Sequence, residues 1–129
     1  MKKLFTVVCV SLLIGASAFA QKADVLYFKA ELGCCQARAC NALESDVKSI
    51  IESHFSERDV QFVTVKISDE ANMELVEKHN AKSQTVVITA KKRRRETIVD
   101  VSDIVSAYSR NRDKETLEKE LIAKIAEVI

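Results

Sequence analysis

The sequence has no proline, no tryptophan and only two glycines in 129 residues. No Pro/Gly/Ser-rich stretch divides it, no segment repeats, and no low-complexity tract interrupts it. At this length a second independent core is excluded, because both halves would be too small to be stable. Charge of one sign is missing as well: 20 Lys+Arg meet 19 Asp+Glu, for a formal net charge of +1. That balance argues against a surface built throughout for nucleic acid. With 47% hydrophobic residues, it also argues against disorder. No apolar run reaches the roughly 20 residues that a membrane-spanning helix needs. What remains is one small domain.

The first twenty residues are read apart from the fold. Lys2 and Lys3 form a basic start, Leu4 to Ile14 an apolar run, and Gly15 to Ala20 a mostly small segment ending Ala18-Phe19-Ala20. That is the order of a secretory signal peptide, too short to span a bilayer. Cleavage is expected after Ala20, with Ala16-Ser17-Ala18 as a second site. Cys9 is preceded by Val8, where a lipid-attachment cysteine requires a small residue. The competing reading is an N-terminal helix of the domain itself. The expectation is a signal peptide over 1–20, a domain over 21–129, and a periplasmic or secreted protein. Losing Lys2 and Lys3 turns the formal charge from +1 to −1.

Cys34, Cys35 and Cys40 remain. An oxidising compartment favours a disulfide, and an odd number leaves one thiol over. All three lie within seven residues, and so short a loop constrains the unfolded chain comparatively little. The cluster therefore reads as chemistry before scaffolding.

The rest alternates strands with helices. Asp24 to Lys29 is a continuous apolar run, as in a strand buried on both faces. Cys40, Leu43, Val47, Ile50, Ile51 and Phe55 recur at spacings of three and four, on one face of a helix from about Gln36 to Phe55. Val60 to Ile67 is a second strand. Ser68, Asp69 and Glu70 start a helix carried by Met73, Leu75, Val76 and His79 to a stop at Asn80. Gln84 to Ala90 and Glu96 to Val101 form an antiparallel hairpin across Lys91 to Arg95. Asp103 to Tyr108 is a short helical turn. Asp113 caps a last helix with Leu117, Leu121, Ile122, Ile125 and Val128 as its stripe. The first three strands, joined through helices, are expected to be parallel.

The order β-α-β-α-β-β-α, the strand Val25-Leu26-Tyr27-Phe28, the cysteines at the start of the next helix and the strand from Thr85 together resemble the thioredoxin-fold family. The resemblance covers about residues 24–129. It implies an α/β, thioredoxin-like domain with a four-stranded mixed sheet. It also implies an exported thiol–disulfide oxidoreductase or disulfide carrier acting on protein thiols or disulfides, with no cofactor and no resident metal. The alternative is a non-catalytic thioredoxin-like binding module with a structural disulfide. The spacing here is Cys35-x4-Cys40 or Cys34-x5-Cys40, where the family has Cys-x-x-Cys. Gln84 stands where the family has a cis-proline, so Gln84 and Thr85 are the expected substrate-contacting residues. A cis bond before Gln84 costs roughly 2.5–4 kcal/mol, so Ser83–Gln84 is expected to be trans.

Cys34 and Cys35 are expected on the loop before the helix, near its positive end, which favours a thiolate. That makes one of them the nucleophile and buried Cys40 the resolving thiol. Arg38 in the first turn would help and Glu31 would oppose. Five residues of helix rise about 7.5 Å, whereas bridged Cα atoms lie within roughly 7 Å, so a Cys35–Cys40 bridge needs an irregular first turn. A purely structural thiol or disulfide remains open, as does a three-thiolate site for Cu(I) or Zn. His54 and His79 read as cations in the last turns of their helices. Lys91 to Arg95 reads as a solvated basic hairpin that discourages edge pairing, or as a dock for an anionic partner. Lys29 and Glu31 flank the strand end, and nothing singles them out. Nucleic acid is disfavoured by export and by the lack of interleaved aromatics.

N-terminal sequencing of protein recovered from its cells is expected to begin at Gln21, or at Phe19 for the second site. An intact Met1 on the folded protein would contradict export.

Overall fold

The computed structural model describes residues 22–31, 34–92 and 94–129, with side chains for all of these except 34–37. The candidate signal peptide, residues 1–20, lies outside the described residues. The chain forms β1 (Ala23–Lys29), α1 (Cys34–His54), β2 (Val60–Lys66), a 3-10 turn (Glu70–Asn72) running into α2 (Met73–Lys78), β3 (Val86–Lys92), β4 (Arg95–Asp100), α3 (Ser102–Asn111) and α4 (Lys114–Val128). The fold is α/β with one mixed sheet in the order β2-β1-β3-β4. That places Val25 to Phe28 in the centre, as expected. Among the described residues no helix is long and apolar enough to cross a membrane.

β1 is central because no other described strand is buried along so much of its length. Val25, Tyr27 and Phe28 are fully buried and Leu26 nearly so. Strand side chains alternate between faces. Val25 and Tyr27 therefore join Leu43, Val47, Ile50 and Ile51 of α1 and Leu117, Leu121 and Ile125 of α4 in one cluster. Leu26 and Phe28 pack on the opposite face with Val65, Val87, Leu75 and Val76. The result is three layers: α1, α3 and α4 on one side, α2 alone on the other.

Pairing corrects one expectation. β1 and β2 are parallel, but β3 is antiparallel to β1, with Tyr27 opposite Val86 and Asp24 opposite Thr89. α2 has six residues and rises about 9 Å, far short of a seven-residue strand at about 3.3 Å per residue. The chain doubles back beside α2 and enters β3 at the end where β1 finishes. Phe28 N–H donates to the Thr85 carbonyl and Gln84 N–H donates to the Phe28 carbonyl, both at 2.9 Å.

Other boundaries shift for local reasons. The helix cap is Asp69 rather than Ser68: its carboxylate accepts from Ala71 N–H at 3.0 Å. Asn80 takes a left-handed φ of 46° and Ala81 N–H reaches back to the Val76 carbonyl at 2.9 Å, closing α2 where its stop was expected. The turn expected over Asp103 to Tyr108 is a ten-residue helix, anchored by the Tyr108 hydroxyl donating to Asp46 at 2.6 Å. β3 and β4 extend into the basic segment. Lys92 pairs with Arg95, and Arg94 turns with φ 73°. Asp113 caps α4 as expected, accepting from Thr116 N–H at 3.2 Å; the bond from the Thr116 hydroxyl, and then this one, hold its carboxyl below the usual range.

Ile50 is 3% exposed and lies in the α1-side core. Ile50→Ala is expected to cost about 2–5 kcal/mol in urea unfolding; a loss below about 1 kcal/mol would contradict this placement.

Candidate thiol site at the carboxyl end of β1

Three pieces of chain converge where β1 ends: the first turns of α1, the strand residues Tyr27 to Lys29, and the turn before β3. α1 begins at Cys34, so Cys34 and Cys35 are the first residues of the helix. This corrects the expectation that they precede it on a loop. Their backbone still occupies the positive end of a 21-residue helix with no acidic residue in its first turn, where a thiolate is favoured. The side chains of Cys34 and Cys35 lie outside the described residues. Arg38 falls one turn further in than expected and is exposed, as is Glu31.

Cys40 is 1% exposed and its thiol is free. The Tyr27 hydroxyl donates to the Cys40 carbonyl at 3.4 Å and lies 3.6 Å from its Sγ. Burial, then the hydrogen bond to Cys40, push the Tyr27 phenol far above its ordinary range. It keeps its proton at any working pH. A protonated Cys40 donates to the phenol oxygen, whereas a Cys40 thiolate receives the phenol proton as a hydrogen bond. One helical turn on, Glu44 Oε2 sits 3.0 Å from Lys29 Nζ and Glu44 Oε1 accepts from the Thr64 hydroxyl at 2.9 Å. Of the two charges flanking the strand end, only Lys29 is thus tied into the site. Tyr27 and Glu44 escape a sequence reading because their only signals are a phenol beside Phe28 in an apolar strand and a carboxylate four residues after a buried cysteine.

The continuous helix matters for pairing. Cys35 and Cys40 are separated by about 7.5 Å of rise and about 140° of rotation, beyond the roughly 7 Å that a disulfide tolerates. Bridging them requires the first turn to open.

Gln84 completes the end of the site. No described peptide bond is cis, so Ser83–Gln84 is trans as expected. Thr85 N–H donates to the Lys82 carbonyl at 3.1 Å and Gln84 takes φ 65°. This is the pattern of a type II turn, with Gln84 at the position that favours glycine. The Thr85 hydroxyl accepts from Lys82 N–H at 2.9 Å, and the bonds to Phe28 fix the turn beside the end of β1.

The remaining candidates resolve without joining this site. His54 Nε2 contacts Glu118 of α4 at 2.5 Å. His79 is not the expected cation. Its ring lies 5.8 Å from that of Phe28, and burial holds its pKa below the usual value. Lys91, Lys92, Arg94 and Arg95 are exposed on the hairpin at the far end of the sheet. Among the described residues no group of three or more His, Cys, Asp or Glu is placed to hold a metal ion.

No protein-family model matches the sequence, and no curated protein does. Solved structures with some likeness include a malarial protein, 20% identical over 70% of this chain and 97% of that one, TM-score 0.41. They also include a thioredoxin from Thermus thermophilus, 15% identical over 72% of this chain and 75% of that one, TM-score 0.43.

Brief alkylation of the reduced protein near neutral pH is expected to modify Cys34 or Cys35 well before Cys40, because access and thiolate fraction together set the rate. Mass spectrometry of the labelled peptides checks this, and fastest labelling at Cys40 would reverse the roles.

Proposed function

We propose that this is an exported thiol–disulfide exchange protein. One observation carries the reading: α1 opens on Cys34 and Cys35 at its positive end, with Cys40 buried against Tyr27 below them. In the proposed cycle the thiolate of Cys35 or Cys34 attacks a partner's disulfide. A mixed disulfide forms and the partner's second sulfur leaves as a thiolate. The first turn of α1 then opens, and Cys40 attacks the sulfur of its own chain in the mixed disulfide. The partner departs fully reduced, and an internal disulfide holds the two electrons' worth of oxidation. Tyr27 steadies the Cys40 thiolate before that attack. The Gln84–Thr85 turn lies where an extended partner segment would run. Gln84 has a side-chain amide to offer such a segment, which a proline lacks.

The second reading is a binding module that uses the same end of β1 without redox turnover. The unbroken helix from Cys34 to Cys40 favours it, since no bridge between those positions forms without unwinding.

Cys40→Ser removes the resolving thiol and is expected to trap mixed disulfides with partner proteins, seen as higher-mass species on non-reducing gels that vanish with reductant. Absence of any such species, with all three cysteines showing ordinary thiol pKa values near 8.5, would remove the exchange reading and leave the binding module.

A further inference from the structure

At the opposite end of the sheet, the face that carries α2 is only half covered. α2 stops at Lys78, and beyond it lies a recess of about 350 Å³, at the lower end of the roughly 300–1,000 Å³ range of ligand pockets. Its floor is Asp24 of β1 and Thr89 of β3, directly opposite each other in the sheet. Leu26, Leu75 and His79 form its wall, and Lys22 and Lys91 stand at its mouth. Lys78 and Glu96 also line it; paired at 2.9 Å, they tie the end of α2 to β4.

Two buried polar atoms here, Asp24 Oδ1 and His79 Nε2, have no hydrogen-bond partner among the described residues. Folded proteins leave few such atoms unpaired, and each asks for an explanation. Burial holds the Asp24 carboxyl above its usual range and, as the largest influence, His79 below its own. Perturbed acids and bases gathered in one recess mark a binding site more often than a featureless surface does.

The charges select the ligand. Asp24 on the floor calls for a cationic head and repels a simple anion. Lys91 at the mouth is exposed and repels a simple cation. Lys22 beside it shares its charge with Asp59 at 3.3 Å, and the Lys78–Glu96 pair is neutral as a unit. A molecule that carries both signs meets both demands, with its apolar part on Leu26 and Leu75. We propose that this recess binds a small zwitterion of the α-amino acid class, its ammonium group on Asp24 and its carboxylate on Lys91. The site lies away from the cysteines, so it stands independently of the thiol chemistry.

L-leucine titrated into the isotope-labelled protein is expected to give saturable NMR shifts at Asp24, His79 and Thr89. N-acetyl-L-leucine lacks the ammonium group and L-leucine amide lacks the carboxylate; each is expected to bind at least about tenfold more weakly, the factor that about 1.4 kcal/mol represents. Asp24→Asn is expected to weaken leucine binding by a similar factor with unchanged circular dichroism. If that variant does not fold, Lys91→Gln, on the exposed rim, carries the test with a smaller expected loss. Absence of saturable shifts at these residues would overturn the proposal. Equal affinity for the two capped analogues would also overturn it, as would unchanged affinity in a folded Asp24→Asn or Lys91→Gln variant.

Discussion

The burial of β1 on both faces is the constraint from which the rest follows. A strand with Val25, Tyr27 and Phe28 fully out of water needs an apolar layer on each side. α1 and α4 supply one and the short α2 part of the other. Alternation along the strand then assigns its polar atoms. Tyr27 faces α1, where Cys40 arrives on the helix stripe and meets the phenol. Asp24 faces the α2 side, where the covering helix ends too soon to bury it completely.

The brevity of α2 has a second consequence. A six-residue helix cannot return the chain along the full length of the sheet, so β3 starts where β1 ends and runs the other way. The turn that performs this reversal is stitched to Phe28 by two backbone hydrogen bonds. It holds Gln84 in a left-handed conformation that a glycine would adopt at lower cost. Gln84, the end of β1 and the start of α1 are gathered at one edge of the molecule by this arrangement, which is why the cysteines and the turn form one candidate site. The basic hairpin goes to the other edge by the same topology.

Much of this was legible in the residues. The α1 face could be read because Leu43, Val47, Ile50 and Ile51 keep helical spacing over more than two turns, and the central strand because its apolar run is unbroken. The stop at Asn80 was legible because asparagine tolerates the left-handed conformation that ends a helix, and the cap at Asp113 because its carboxylate accepts from the first turn of α4. The direction of β3 was not, since it depends on how far α2 extends, a matter of a few residues among Met73 to His79. The start of α1 was missed because Gly33-Cys34-Cys35 offers no Ser, Thr, Asp or Asn to mark it. α3 was underestimated because its tertiary anchor, Tyr108 on Asp46, joins residues 62 apart in sequence. The contacts among Tyr27, Cys40, Glu44 and Lys29, and the recess holding Asp24 and His79, exist only once the sheet is assembled.

The exchange account stands or falls on whether Cys40 shares a reversible two-electron couple with a cysteine at the head of α1. Equilibration of the purified protein in glutathione buffers of graded potential, quenched by acid and mapped by mass spectrometry, measures this directly. The account predicts a Cys40 disulfide to Cys35 or Cys34 that forms and disappears with a single midpoint within the buffered range, accompanied by loss of helical signal from the opening first turn. A Cys40 that stays a free thiol at every potential, with Cys34 and Cys35 taking up only glutathione, would contradict it.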